Sequence, residues 1–180
     1  MTEIINTDGT GRIYQINNLL PDAEVADVMS TDWLALPWRR GELQEHWPRR
    51  WITDCPRLNQ LNSYVDSKFN LIKHLTGKDF SNMQTHWWVD EPEFTVAMHT
   101  DGHLPYTMQL YWDVPSEDFG TVFYYYKKVD SVRYKLLSIP NHGYLMDNHC
   151  ENDFQLLHWH AMLNKVPEGK IRVSSYSIFS

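Results

Sequence analysis

Residues 83–113 read MQTHWWVDEPEFTVAMHTDGHLPYTMQLYWD, and the way this stretch divides decides the fold. Aromatic and β-branched residues come in short runs, cut first by Glu91-Pro92-Glu93 and then by the turn formers between Asp101 and Pro105. Runs of this kind bounded by turn chemistry make strands, not helices. The same texture continues to the C-terminus, which predicts strands over 83–89, 94–100, 106–113, 121–127, 132–139, 143–147, 155–162 and 170–179. Eight short strands with no long helix among them point to a sandwich, jelly roll or barrel.

Upstream of residue 83 the pattern changes. Leu20-Pro21-Asp22-Ala23-Glu24 offers a helix start before Val25, Val28 and Met29. Cys55-Pro56 opens a second segment whose apolar residues Leu58, Leu61, Tyr64, Val65, Phe69 and Ile72 keep a helical period, and Gly77 stops it. Between them, Leu36 to Thr53 has no clean period and is expected to be an ordered connection. The chain is thus expected to be one domain, 1–180, of mainly β (α+β) class. Residues 1–82 form a helical support region, packed on the outer face of a β-sandwich core formed by 83–180.

With 42% hydrophobic and 22% charged residues the composition is that of a globular protein, and the 14% aromatic share suits a well-filled β core or an aromatic-walled pocket. Met1 to Arg12 is polar, and no run of about 18 apolar residues occurs, so no membrane association and a cytoplasmic location are expected. A net charge of −7 argues against a nucleic-acid partner. Locally the balance differs: Arg39, Arg40, Arg49, Arg50 and Arg57 share one stretch with Trp38, Trp47 and Trp51. That stretch is read as arginines solvated over packed tryptophans, with a surface that holds phosphates and stacks bases, or a pocket wall for an anionic or peptide substrate, as the alternatives. Cys55 and Cys150 show no metal-ligand spacing and are expected to be free thiols.

The chemistry begins at His99-Thr100-Asp101, where an imidazole and a carboxylate at i and i+2 project from the same face of a strand and can reach one ion. With nine histidines in 180 residues, roughly one such pair arises by chance, so the motif needs support. Trp159-His160-Ala161-Met162 supplies a further histidine, and Arg172-Val173-Ser174 follows on a strand-like segment. Two histidines and one carboxylate on one face of an Fe(II) ion leave positions open for a chelating cosubstrate and O₂. A buried arginine nearby pairs bidentately with a dicarboxylate's far end.

At this point the second half, from about Gln84 to Phe179, resembles the Fe(II)/2-oxoglutarate oxygenases, specifically the prolyl-hydroxylase-like group with its short bacterial and phage members. The matching landmarks are His99-Thr-Asp101, Gln109-Leu-Tyr111-Trp, Gly120-Thr-Val-Phe-Tyr124, Asn141-His-Gly143-Tyr, Trp159-His160-Ala-Met and Gly169-Lys-Ile-Arg172-Val-Ser174. The resemblance implies a double-stranded β-helix, the jelly roll that cupins share. It implies that His99, Asp101 and His160 ligate iron and form the catalytic centre. Arg172 would bind the distal carboxylate of 2-oxoglutarate with help from Tyr111 and Ser174, and Gln109 is a weaker pocket candidate. The implied reaction is oxidation of a substrate by O₂ with decarboxylation of 2-oxoglutarate to succinate and CO₂. Hydroxylation of a protein side chain, an amino acid or a small metabolite is the default outcome.

His158 lies at i−2 from His160, and on a strand both can face one ion; Trp-His-Ala-Met matches the family element and favours His160. The twelve residues from His160 to Arg172 are slightly more than the spacing commonest in the family it resembles, and the resemblance therefore implies an insertion in the turn Leu163 to Glu168. Gly120 and Gly143 are expected at turns. His149-Cys150-Glu151 sits in a polar run and reads as a loop, as does His103, while His46, His74 and His86 carry no assigned role. Two other functions stay open: a cupin-like metal protein that does not use 2-oxoglutarate, and a non-catalytic jelly-roll binding module. Arg172 separates the first of these from an oxygenase, because a metal-only site has no need of the cation.

Overall fold

The structure, a computed structural model, describes residues 2–6, 12–39, 48–52, 55–102, 104–148 and 158–180. Its strands are β1 (Glu3–Asn6), β2 (Ile13–Asn17), β3 (Arg49–Ile52), β4 (Met83–Asp90), β5 (Val96–His99), β6 (Tyr106–Tyr111), β7 (Val122–Tyr124), β8 (Val132–Lys135), β9 (His142–Asp147), β10 (Trp159–Met162) and β11 (Arg172–Phe179). Among the described residues the three α-helices, α1 (Asp22–Met29), α2 (Pro56–Asp66) and α3 (Phe69–Thr76), all precede β4.

The strands form two antiparallel sheets, one of seven in the order β1-β2-β9-β6-β11-β4-β3 and one of four in the order β5-β10-β7-β8. Every strand predicted beyond residue 83 has a counterpart, most with trimmed ends, while β4 and β9 each run one residue longer; residues 155–157 of the predicted 155–162 strand lie outside the described residues. The first 82 residues are less helical than their sequence suggests, because β1, β2 and β3 extend the large sheet at both edges. β2 pairs with β9 and β3 with β4, partners far away in sequence, so no local period announces them.

Side-chain alternation assigns each face of the large sheet. On β11, Val173 and Phe179 join Trp87, Val89, Met108, Leu110 and Leu145 against Val28, Leu58, Leu61, Val65 and Ile72 of the helices. Trp33, Trp87 and Trp112 stack within this layer, at 5.3 Å and 5.7 Å between centroids. Pro56 opens α2 at its first turn, where its missing N–H costs nothing, and Gly77 ends α3 in the left-handed region at φ 67°. The opposite face meets the small sheet through Tyr111, Tyr144 and Met146 packed on Phe123 and Leu136. That face also carries Asp90, Gln109, Arg172, Ser174 and Tyr176, all buried. A row of buried polar groups on an interior sheet face marks a site, since burial without partners is costly.

Two local features join the parts. Asn141, at φ 64°, uses its side-chain amide to accept from the Leu20 N–H and donate to the Leu20 carbonyl, both at 2.8 Å, which ties the N-terminal segment to the core. Gly143 lies within β9 opposite Leu110 and not at a turn; a Cβ there would collide with the Gln109 carbonyl. It is a close-approach glycine, and the turn lies two residues earlier at Pro140–Asn141, where the His142 N–H donates to the Ile139 carbonyl at 3.0 Å. Cys55 is buried as a free thiol, and Cys150 lies outside the described residues.

Candidate active site

The small sheet sets two imidazoles side by side. His99 on β5 and His160 on β10 are direct cross-strand partners, with ring centroids 4.2 Å apart. Asp101 lies two residues past the end of β5, where a turn closed by the Leu104 N–H on the Asp101 carbonyl at 2.8 Å holds it. Its carboxylate oxygens lie 3.6 Å from His99 Nε2 and 3.9 Å from His160 Nε2. One ligand atom from each residue falls within 4.8 Å of the others, a spacing that can hold a metal ion.

The outer contacts prepare these donors. His99 Nδ1 donates to the Ala97 carbonyl at 2.8 Å and His160 Nδ1 to the His158 carbonyl at 2.9 Å. A carbonyl only accepts, so each neutral ring carries its proton on Nδ1 and turns the Nε2 lone pair to the shared centre. Burial pushes the His160 imidazole below its usual pKa, against the Asp101 carboxylate, and so favours the neutral, ligating form. Tyr176 donates its hydroxyl to Asp101 Oδ2 at 2.7 Å and stacks on Trp88 at 4.8 Å. Burial and the Asp101 charge raise the Tyr176 phenol far above its usual pKa, so it remains a donor.

These groups line a cavity of about 270 Å³ whose walls also include Arg49, Trp88, Gln109, Thr121, Tyr144 and Arg172. On its large-sheet side Arg49, Asp90 and Arg172 stand at one register level across β3, β4 and β11. Arg49 grips both Asp90 oxygens, Nε to Oδ1 at 2.5 Å and Nη2 to Oδ2 at 3.2 Å, while Arg172 Nη1 donates to Oδ2 at 2.6 Å. The Arg49 guanidinium lies over Trp88 at 4.0 Å and Phe94 at 4.2 Å. Arg172 Nε is buried without a hydrogen-bond partner.

Of the residues singled out in the sequence, His99, Asp101, His160, Gln109 and Arg172 share this cavity. Tyr111 and Ser174 stand behind it. The Tyr111 hydroxyl bonds to Thr121 Oγ1 at 2.7 Å, and Ser174 Oγ accepts from Gln109 Nε2 at 3.1 Å. Gln109 Oε1 in turn accepts from the Tyr144 hydroxyl at 2.8 Å. His158 Nε2 donates to the Asp147 carbonyl at 3.1 Å, away from the metal-ligand group. His46, His103 and His149-Cys150-Glu151 lie outside the described residues. Sequence reasoning missed Asp90, Tyr144 and Tyr176 and gave Arg49 no specific role. Tyr176 alone carried a signal, being at i+4 from Arg172 and thus on the same strand face.

No protein-family model matches the chain, and no curated protein sequence matches it. Solved structures do. A prolyl-4-hydroxylase from Pseudomonas putida superposes with a TM-score of 0.60 at 14% identity, covering 95% of this chain and 93% of its own. The viral collagen prolyl hydroxylase of Paramecium Bursaria Chlorella virus-1, in complex with 2-oxoglutarate, gives a TM-score of 0.63 at 13% identity, with 97% and 99% covered. HygX from Streptomyces hygroscopicus, solved with nickel and 2-oxoglutarate bound, gives 0.63 at 11% identity, with 95% and 84% covered. At these identities the likeness is one of fold: the chain is built on the fold of the 2-oxoglutarate–Fe(II) oxygenases, prolyl hydroxylases among them.

Proposed function

We propose that this protein is an Fe(II)- and 2-oxoglutarate-dependent oxygenase that hydroxylates a protein side chain, an amino acid or another small metabolite. The observation that carries this is one cavity holding both the His99–Asp101–His160 group and a buried arginine with an unpartnered N–H. Its scaffold supports the reading. From β4 to β11 the chain alternates between sheets except at the β7–β8 hairpin, in the strand orders 9-6-11-4 and 5-10-7-8, an order that supports reading the core as a double-stranded β-helix, or jelly roll.

The residues fit the absent groups. Two neutral imidazoles and one carboxylate on one face suit a ferrous ion and leave sites for other ligands. When bound, the iron and 2-oxoglutarate supply the oxidising power, O₂ converting 2-oxoglutarate to succinate and CO₂ with one oxygen atom delivered to the substrate. The chain's own residues orient and shield. Tyr176 fixes the Asp101 carboxylate through its hydrogen bond, and the Ala97 and His158 carbonyls fix the two rings. Arg172 offers its spare donors to the distal carboxylate of 2-oxoglutarate. Gln109, held between Ser174 and Tyr144, presents a fixed amide in the same wall.

The Arg172–Asp90 pair favours a second reading, since an arginine already paired can be structural and leave a cupin-like metal protein that uses no 2-oxoglutarate. One titration separates the two. Anaerobic addition of Fe(II) and 2-oxoglutarate to the apo-protein is expected to give the visible metal-to-ligand charge-transfer band. Arg172→Ala should weaken 2-oxoglutarate binding roughly 100-fold, the scale of losing charge-assisted hydrogen bonds, while iron affinity holds. Iron binding without the band would establish the cupin-like reading instead.

A further inference from the structure

Asp90 is a fully buried carboxylate set between two buried arginines, and three side chains with these charges leave one positive charge on that side of the cavity. The donors are divided unequally. Arg49 commits Nε and Nη2 to Asp90, one on each oxygen, and its plane is held over Trp88 and Phe94. Arg172 gives Asp90 only Nη1, and its Nε stays unpartnered. Were Asp90 opposed by Arg172 alone, the pair would be neutral. An entering carboxylate would then compete with Asp90 for the same guanidinium, with no net attraction to offset its desolvation. Arg49 removes that competition.

We propose that Arg49 and Asp90 are positioning residues for the cosubstrate anchor. Asp90 holds the Arg172 guanidinium in place, and Arg49 neutralises Asp90 so that the charge of Arg172 remains available to the distal carboxylate of 2-oxoglutarate. The proposal rests on the oxygenase reading and adds to it a charge requirement met by a strand outside β4–β11. It also assigns part of the Arg/Trp-rich stretch. Of its four described arginines, Arg49 faces the cavity, Arg50 pairs with Glu91, Arg57 pairs with Asp27, and Arg39 is exposed and bridges to Trp51 through its backbone.

The test is calorimetric titration of 2-oxoglutarate, under argon, into the Fe(II)-loaded protein, with Fe(II) affinity measured alongside. Arg49→Met is expected to weaken 2-oxoglutarate binding roughly 30-fold or more and to leave iron affinity within about twofold. The double variant Arg49→Met/Asp90→Asn restores the single positive charge and is expected to recover affinity to within about fivefold of wild type. A purely structural role for Arg49 predicts no recovery, since the double variant removes still more of the network. Wild-type affinity in Arg49→Met, or a double variant no better than the single, overturns the proposal. Should Arg49→Met fail to fold, the double variant decides alone, because a 30-fold loss there would make Arg49 a direct ligand and not a neutraliser. If the wild type binds iron but no 2-oxoglutarate, the oxygenase reading fails first and this proposal with it.

Discussion

The two sides of the cavity are built by different means. The metal side stands on the small sheet and draws on a local motif, His99 and Asp101 two residues apart, completed by a cross-strand histidine. The arginine side stands on the large sheet and has no local motif at all. Arg49, Asp90 and Arg172 come from three strands and meet only because their registers coincide. The metal side holds a surplus carboxylate and waits for a cation; the opposite side holds a surplus cation and suits a carboxylate. With a cation bound on the metal side, a chelating dianion would suit such a pair of sites, which is the ligand the proposed function calls for.

Severing one side should leave the other intact. The largest effect is expected of Asp101→Ala, which should lose iron binding, and with it uncoupled 2-oxoglutarate turnover, while circular dichroism stays that of the folded protein. Full turnover in that variant would remove the metal side from the picture. A smaller effect is expected of Tyr176→Phe, which deletes only the hydrogen bond to Asp101. Iron affinity should fall about tenfold, measured by competition with a chromophoric chelator. An unchanged affinity would mean that Asp101 is oriented by its turn alone. The smallest effect on iron is expected of His158→Ala, within about twofold, because that ring bonds to the Asp147 carbonyl. Its cost should show as a melting temperature lower by about 3 °C, the scale of one hydrogen bond in a chain of this length. Iron loss in His158→Ala but not in His160→Ala would exchange the two histidines' roles.

The same contrast explains what the sequence could reveal. The strands after residue 83 were legible because turn formers punctuate apolar runs, and His99, Asp101 and Arg172 because spacing and order survive in one dimension. β2 and β3 were hidden because short strands at the ends of a sheet are defined by partners far along the chain, and β1 because it pairs with β2. Asp90 was hidden for a different reason. It closes a run of aromatic residues, where a carboxylate reads as the polar end of a strand, and only pairing with β3 and β11 shows it flanked by two cations. Tyr144 escaped notice because a tyrosine in a buried strand is usually packing, and its hydroxyl bond to Gln109 cannot be inferred without the fold.

The pairing of β3 with β4 carries one more consequence. Side chains on a strand alternate between faces, so a one-residue slip of β3 that set Pro48 opposite Asp90 would turn Arg49 out of the cavity and leave no cation in its place. Such a slip would alter no distance among the three candidate metal ligands, His99, Asp101 and His160. It would still change the sign balance of the pocket, making anion affinity a reading frame kept by backbone hydrogen bonds.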